Sequence, residues 1–262
     1  MNLDFTGKRA IVCGSTQGIG KATAIELARL GADITLIARN ETALQGVKDE
    51  LANENEQDHH YVKANFDQPK SLQEALSGYI ADLGEVHVLV NNSGGPPAGM
   101  AIDADLEEFR VAFNRHLICN QIMAQTFVPL MKAVNYGRII NVISTSVKAP
   151  INGLGVSNTI RGGVASWAKT LANELGPYGI TVNNVLPGAT MTARLETIIK
   201  NNAVKSGKSE EDVVNHMKSE IPARRFAEPE EVAAAITFLA SPAAGYINGI
   251  NVPVDGGRLS CL

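Results

Sequence analysis

The clearest chemical signal in the chain is a glycine-rich turn that could hold a phosphate group. Residues 14–20 read Gly-Ser-Thr-Gln-Gly-Ile-Gly and stand between an apolar run and an amphipathic stretch. Gly14 permits a tight turn, Gly18 lets the backbone approach a pyrophosphate, and Gly20 lets the following helix pack close to the strand. The turn also contains Ser15, Gln17 and Ile19. The alternative interpretation is a strand-to-helix turn that binds nothing.

The elements that must position this turn alternate between strand and helix. Seven short β-rich runs lie at residues 9–13, 34–38, 61–62, 86–90, 138–143, 181–185 and 250–254. Helical patterns lie at residues 18–30, 41–52, 71–83, 106–133, 156–175 and 229–239. Such alternation predicts an α/β fold, a Rossmann-like doubly wound parallel sheet with helices on both faces, with residues 1–262 in a single domain. A polar, lid-like insertion near residues 192–220 follows a strand and should lie at the ligand edge of the sheet, as a solvated helix or a mobile lid.

Composition excludes several other classes of protein. The chain has 262 residues, 45% of them hydrophobic and 19% charged, which is typical of a globular protein. A net charge of −4 argues against a nucleic-acid partner. No run is long and apolar enough to cross a membrane, and the N-terminus does not resemble a signal peptide. Three scattered cysteines have no metal-binding spacing, so we expect reduced thiols and a cytoplasmic location.

Five motifs in order along the chain resemble those of the short-chain dehydrogenase/reductase family. They are the glycine turn, Asn-Asn-Ser-Gly at 91–94, Asn-Val-Ile-Ser at 141–144, Pro-Gly at 187–188, and the pair of C-terminal elements at 229–232 and 254–257. The β-ketoacyl-carrier-protein reductase branch is the most similar. The resemblance implies an NADP(H)-dependent oxidoreductase acting on a small-molecule carbonyl or alcohol, with the cofactor also contacted by Asn92, Gly94, Pro187, Gly188, Thr190 and Thr192.

Residues after the second strand favour NADPH over NADH. An NAD site places an acidic residue there to accept a hydrogen bond from the ribose 2′-hydroxyl. Here Ala38 carries no carboxylate, and Arg39 offers a planar, permanently charged partner for a 2′-phosphate, to which Ser15 could add a hydroxyl. Arg39 could instead be the solvated start of the next helix. Asn65 stands where many relatives have an adenine-contacting aspartate.

The catalytic residues implied by the resemblance are mostly replaced. The family uses a serine to position the carbonyl, a tyrosine as acid, a lysine that binds the nicotinamide ribose, and an asparagine that holds a relay water. The serine corresponds to Ser144, whereas Ser157 takes the tyrosine position and Arg161 the lysine position. His116 falls at the asparagine position, and Asn114 is the alternative register.

These replacements change the expected chemistry. Serine is a very weak acid, and Arg161 can bind ribose hydroxyls but cannot easily release a proton. His116 titrates near neutral pH and could be the acid, unless it is a hydrogen-bonded core histidine. Lys148 and His216 are further candidate donors, and adjacent His59 and His60 should face opposite ways, which argues against a metal site there.

Two functions follow from this pattern. The first is an NADP(H)-dependent oxidoreductase with a non-standard proton donor, either His116 or a group on the substrate. The second is a catalytically impaired NADP(H)-binding sensor or scaffold protein. The small residues of the helix after Ser157, with Gly162 and Gly163 among them, favour close helix packing, and the resemblance implies a homotetramer or a dimer.

Overall fold

Seven parallel strands form one sheet in the computed structural model, which describes residues 1–81 and 83–261. The strands are β1 (Arg9–Cys13), β2 (Asp33–Ala38), β3 (His60–Lys63), β4 (Val88–Asn91), β5 (Gly137–Val142), β6 (Ile180–Pro187) and β7 (Asn251–Val254). Their spatial order is β3-β2-β1-β4-β5-β6-β7, and every pair is parallel. The order reverses between β1 and β4, so a ligand crevice is expected at the carboxyl ends of these strands. The predicted fold class is confirmed.

Helices cover both faces of the sheet. They are α1 (Gly18–Arg29), α2 (Glu41–Glu50), α3 (Pro69–Ile80), α4 (Leu106–Phe113), α5 (Cys119–Ala133), α6 (Gly155–Leu175), α7 (Ala193–Ser206), α8 (Glu210–Ser219) and α9 (Pro229–Ala240). One apolar cluster joins the sheet to α1, α2 and α9, and a second joins it to α3, α5 and α6. Successive side chains of β1 alternate between the two clusters, with Val12 in the first and Ile11 in the second.

The helix expected over residues 106–133 is interrupted. A π-helical turn, Asn114–Ile118, separates α4 from α5. Apolar spacing does not reveal such a turn, since it adds only one residue to a helical repeat; π-turns within α-helices are frequent at functional sites. The helix expected over residues 71–83 ends at Ile80 in the structure, and its residue Asp82 lies outside the described residues.

The polar insertion folds into two helices, α7 and α8. They share a small apolar cluster with the segment that follows, made of Leu195, Ile199, Ala203, Val213, Ile221 and Phe226. Ser209 accepts a hydrogen bond from the Asp212 N–H and so caps α8, whose first turn is acidic. Acidic side chains at a helix start are favourable because they meet the positive end of the helix dipole.

A ladder of four asparagines crosses the second half of the sheet. Asn91 donates to Asn141 (2.9 Å), Asn141 to Asn184 (3.0 Å), and Asn184 to Asn251 (2.8 Å), through their side-chain amides. These residues are direct partners in the register of β4, β5, β6 and β7. Because a slip of one residue would turn every amide to the other face, the ladder specifies strand register just below the crevice.

No helix in the described part of the chain is long and apolar enough to cross a membrane. Cys13 and Cys119 are buried free thiols, and Cys261 is exposed. Burial raises the pKa of Cys119 to about 12, helped by the charge of Asp67. These two buried cysteines are therefore packing residues rather than nucleophiles.

Candidate active site

The glycine turn forms a side-chain-free surface at the carboxyl end of β1. Gly14 has a φ of +59°, and a Cβ on it would lie 2.7 Å from the Asn92 carbonyl oxygen. A Cβ on Gly20 would overlap the Gly14 carbonyl. The Asn92 amide donates to the carbonyls of Cys13 and Gly14 (3.3 Å each), which joins β4 to the turn. The predicted close packing of turn, helix and strand is present.

Donors around this turn fit an anion. Gln17 is extended and exposed, and α1 begins after it without a side-chain cap and without an acid in its first turn. The Ser15 hydroxyl is buried, and among the described residues it has no hydrogen-bond partner. Ile19 packs against the apolar cluster under α1. An uncapped helix start beside an unpartnered hydroxyl is a site for phosphate.

Residues at the ends of β2 and β3 form the wall beside this turn. Arg39 follows β2 with 71% of its side chain exposed, and its guanidinium lies 3.5 Å from the Asp67 carboxylate. The Asn65 side chain accepts from the Asp67 N–H (3.1 Å) and so braces the loop after β3. Arg39 is thus free to turn toward a ligand, whereas Asp67 is an acidic neighbour that the sequence argument did not anticipate.

The segment after β6 lies over the glycine turn. Thr192 caps α7 by accepting from the Leu195 N–H (3.4 Å), and its hydroxyl donates to the Thr190 carbonyl (3.2 Å). Its γ-methyl lies 3.0 Å from the Cβ position of Gly18. The Gly188 N–H bonds to the Val254 carbonyl and follows Pro187 at the end of β6. The predicted cofactor residues from β1, β4 and β6 therefore share one edge of the sheet.

The polar residues of β5 and α6 meet next to this edge. Ser144 follows β5, and its hydroxyl accepts from the Ser146 N–H (3.1 Å). Ser157 lies in the first turn of α6 and is 9% exposed. Arg161, one turn later, donates to the Val142 carbonyl (2.7 Å), two residues before Ser144. Burial lowers the pKa of Arg161 to about 10, with smaller contributions from the charges of Arg194 and Arg115, so it stays charged at neutral pH.

His116 lies in the π-helical turn and is 3% exposed. Its Nδ1 is hydrogen-bonded to the Ser93 hydroxyl (2.9 Å), and its Nε2 has no partner in the described part of the chain. Burial holds the pKa of His116 well below its ordinary value, and the charges of Arg161 and Arg115 lower it further. The ring is neutral at neutral pH, so this environment opposes the imidazolium donor expected from the sequence.

Comparison with known proteins places this site in a family. The family described as enoyl-(acyl carrier protein) reductase matches residues 14–258. The 3-oxoacyl-(acyl-carrier-protein) reductase FabG of Vibrio cholerae is 32% identical over 259 residues, which cover 98% of each protein. The chain belongs to the short-chain dehydrogenase/reductase family. The match to FabG covers 98% of the chain, and the family model begins at Gly14, directly after β1.

Other relatives in the short-chain dehydrogenase/reductase family are equally extensive matches. The NADPH-dependent reductase BacG of Bacillus subtilis is 28% identical over 260 residues, covering 97% of this chain and 99% of BacG. The structure of L-sorbose reductase from Gluconobacter frateurii, complexed with NADPH and L-sorbose, superposes with a TM-score of 0.93 at 28% identity and covers 100% of both chains.

Several polar residues of the candidate site were not predicted from the sequence. Arg115 forms an ion pair with Asp67 (2.5 Å) and donates to the Gly94 carbonyl (3.1 Å). Arg194 donates to the Pro96 carbonyl (2.6 Å) and bridges the loops after β4 and β6. Ser93 was quoted only as part of a motif. Nearness in sequence to a predicted site residue was the available signal for both arginines, since Arg115 precedes His116 and Arg194 follows Thr192 by two residues.

In the described part of the chain, the side chains of the remaining candidate donors form no hydrogen bond to the residues assembled above. Lys148 is exposed, and His216 is exposed on α8 near Glu220. His59 accepts from the Ile34 N–H through Nδ1 (3.0 Å), and its Nε2 pairs with the Ala52 carbonyl (2.8 Å). Both ring nitrogens of His59 are thus hydrogen-bonded to backbone atoms. In residues 1–81 and 83–261, no group of histidine, cysteine and acidic side chains could hold a metal ion.

Proposed function

We propose that this protein is an NADPH-dependent oxidoreductase that interconverts a carbonyl group and an alcohol. The observation that carries the proposal is the buried Ser15 hydroxyl beside a glycine turn, which has no hydrogen-bond partner among the described residues. Ala38 stands where an NAD site would have an acid, and Arg39 follows it as an exposed cation. Bound NADPH would supply the hydride. Its phosphates and nicotinamide would be held by Gly14, Ser15, Gln17, Gly18, Ile19, Gly20, Arg39, Asn65, Asn92, Gly94, Arg161, Pro187, Gly188, Thr190 and Thr192.

In this proposal, some residues position the substrate and the cofactor, and another takes part in proton transfer. Ser144 orients the carbonyl oxygen by hydrogen bonding, and Arg161, anchored on the Val142 carbonyl, binds the nicotinamide ribose. Ser157 leaves space where the family has a tyrosine ring but is too weak an acid to replace it. The neutral His116 ring would relay a proton by releasing one from one ring nitrogen while its other nitrogen takes one up, with Ser93 bonded to Nδ1. The proton that reaches the carbonyl oxygen therefore comes ultimately from a water or from a group on the substrate.

The substrate we propose is a small carbonyl compound that is reduced at a keto group, the reaction that the name of the 3-oxoacyl reductases describes. Support comes from FabG and L-sorbose reductase, whose names describe reduction of carbonyl-bearing molecules. We further propose that α7 and α8, with residues 192–220, act as a lid, because Thr192 contacts Gly18 and Arg194 contacts Pro96 across the crevice. The proposed assembly is a homotetramer or a dimer.

A second function has its own supporting observation. The cofactor residues are assembled, yet Ser157 and Arg161 are poor acids and the His116 ring is neutral. A protein with these features could bind NADP(H) as a sensor or scaffold without hydride transfer. Loss of one general acid typically costs about 10²–10⁴ in rate, so weak catalysis and no catalysis must be distinguished experimentally.

The experiment that separates these functions combines NADPH titration with NADPH oxidation against a panel of ketones, oxo acids and 3-oxoacyl thioesters. Alcohol formed in equal amount to NADPH oxidised supports the oxidoreductase. NADPH binding without turnover of any panel member supports the sensor or scaffold. No NADPH binding contradicts both. The double variant Ser157→Tyr/Arg161→Lys is the matched positive control, since it restores the family's acid and lysine.

A further inference from the structure

Two guanidinium groups meet in the crevice without an acidic partner. Arg161 and Arg194 each have an Nη2 atom 3.7 Å from the point where a Cβ on Gly95 would stand. Arg161 donates to the Val142 carbonyl and Arg194 to the Pro96 carbonyl, both of which are neutral. Among the described residues neither arginine forms an ion pair, so two positive charges flank one backbone position uncompensated.

A third arginine, Arg115, differs from these two because it has an acidic partner. Arg115 lies close enough to lower the pKa values of Arg161 and Arg194, but its own charge is balanced by Asp67 at 2.5 Å. Burial is the main cause of the lowered pKa of both arginines, and the further causes are positive charges. A positive potential in a partly dehydrated cleft attracts an anion more strongly than the same charge in open water.

These charges lie at the end of the crevice where the substrate carbonyl is expected. Arg161 is one helical turn beyond Ser157 and bonds to the strand that leads into Ser144. Arg194 is in the first turn of α7 and is exposed at the rim. Arg39, which we assign to the 2′-phosphate, follows β2 on the other side of β1. The two positive regions are therefore separated by the glycine turn.

We infer that the substrate carries a carboxylate and that Arg194 binds it, with Arg161 supplying a second positive charge nearby. The inference rests on the proposed oxidoreductase function and narrows its substrate to an oxo acid or hydroxy acid. Arg194 makes one hydrogen bond in the described part of the chain, to Pro96, and a guanidinium has five donors in a planar fork that matches a carboxylate. An acyl thioester without a free acid group would place no anion beside Arg194.

Binding of non-reacting probes tests the inference without depending on turnover. The NADP⁺-saturated protein is titrated with butanoate, pentanoate and hexanoate and with the corresponding primary amides, followed by ligand-observed NMR. We expect the carboxylates to bind at least about tenfold more tightly than the amides, because a charge-assisted hydrogen bond is roughly twice as strong as a neutral one. Equal affinities for acid and amide would overturn the inference.

Variants assign the effect to Arg194. Arg194→Gln should abolish the preference for carboxylate over amide, while NADPH affinity stays within about threefold. Arg29→Gln is the matched control, because Arg29 is an exposed arginine paired with Glu26 on α1. If Arg194→Gln unfolds, Arg194→Lys keeps the charge without the planar fork and should show a reduced preference. A loss of NADPH affinity with an unchanged preference would show that Arg194 holds the cofactor instead, which also overturns the inference.

Measurements of catalytic activity distinguish the carboxylate site from the proposed oxidoreductase function on which it rests. Oxo acids should be reduced at least about tenfold more efficiently, in kcat/KM, than their methyl esters. Equal reduction of acids and esters would contradict the carboxylate site and leave the oxidoreductase intact. Carboxylate binding that depends on Arg194, without reduction of any compound, would support the site and contradict the oxidoreductase.

Discussion

Arg39 is the residue on which cofactor choice is predicted to depend. Arg39→Ala should weaken NADPH binding by about 10- to 100-fold, since a charge-assisted hydrogen bond to phosphate contributes about 1.5–3 kcal/mol. NADH lacks the 2′-phosphate, so its dissociation constant should change by less than about threefold. Both constants are measured by fluorescence titration at one ionic strength.

The control for Arg39→Ala is Arg29→Ala, which removes the same charge from the far end of α1. It should leave both dissociation constants near those of the unsubstituted protein. A parallel loss of NADPH and NADH affinity in Arg39→Ala would mean that Arg39 supports the loop near Asp67 rather than the phosphate.

His116 should give the protein a recognisable pH dependence of stability. The folded chain keeps its pKa well below the ordinary value, whereas an unfolded histidine protonates near pH 6.5. As pH falls from about 6.5 toward the folded pKa, the unfolded state binds more protons and stability drops by up to about 1.4 kcal/mol per pH unit. Above about pH 6.5 the His116 ring is neutral in both the folded and the unfolded state, so this loss of stability is absent.

His116→Gln should flatten this decline, because glutamine does not titrate and its amide can still reach Ser93. The measurement is the free energy of unfolding in urea between about pH 7.5 and 5. Burial also lowers the pKa of His87, but that residue is present in both proteins and cancels in the difference. The exposed His216→Gln is the control, and equal slopes for His116→Gln and the unsubstituted protein would refute the assignment.

At the residue scale, the sequence located the groups that act within one turn or one strand end. The glycine turn, Ser15 and Arg39 are found where their local spacing predicts. Arg194 was missed because its partner, Pro96, is 98 positions away in the chain, and no local pattern pairs two loops. The sequence left His116 open between a general acid and a hydrogen-bonded core histidine, because its protonation depends on burial and on arginines from other segments.

At the scale of elements, the asparagine ladder should contribute strongly to stability. Asn141→Leu removes the central amide and leaves Asn91 and Asn184 without their partner inside the sheet. Each buried polar group left unpaired costs about 1–3 kcal/mol, so for two groups we expect a loss of about 2–6 kcal/mol in the free energy of unfolding. Urea denaturation followed by circular dichroism measures it.

Thr181→Val is the matched control on the neighbouring strand. The Thr181 hydroxyl is buried and has no hydrogen-bond partner among the described residues, so a valine of the same shape should be neutral or stabilising. A loss with Thr181→Val as large as with Asn141→Leu would indicate that packing, and not the amide ladder, carries the effect.

Element types were predictable because apolar spacing separates buried strands from one-sided helices. The carboxyl-edge crevice followed from the alternation of strands and helices. The strand order was not predicted, because alternation does not determine which strands are neighbours in the sheet. The ladder was not foreseen, since four asparagines in four strands align only when the register is known. The π-helical turn at His116 was hidden because the apolar residues of α4 and α5 continue a helical pattern across it.

At the scale of the whole molecule, the glycine pair of α6 is expected to lie in a contact between subunits. A Cβ on Gly162 or on Gly163 would meet nothing within 4 Å, so packing within the chain does not require glycine there. Gly163→Glu should therefore leave the fold intact while shifting a dimer or tetramer to smaller species. Sedimentation velocity measures the shift, and thermal unfolding of the separated species reports on the fold.

Gly163→Ala provides the comparison for this prediction. Alanine is about 0.5–1 kcal/mol better than glycine inside a helix, so an isolated chain should gain stability from it. An unchanged sedimentation coefficient in Gly163→Glu at every protein concentration would exclude this face of α6 from the assembly.

The asparagine ladder also has a consequence for motion. Strands β4 to β7 share one chain of side-chain amides, so none of them can detach without stranding a neighbour's buried donor or acceptor. The edge strand β3 lies on the other side of β1 from these strands and contributes no residue to the row of amides. Native-state hydrogen exchange should therefore find β4 to β7 opening as one cooperative unit, with β3 exchanging earlier. Strands β4 to β7, which lie beneath the proposed substrate site, would then stay rigid while the amide hydrogens of the loops above them exchange freely with solvent.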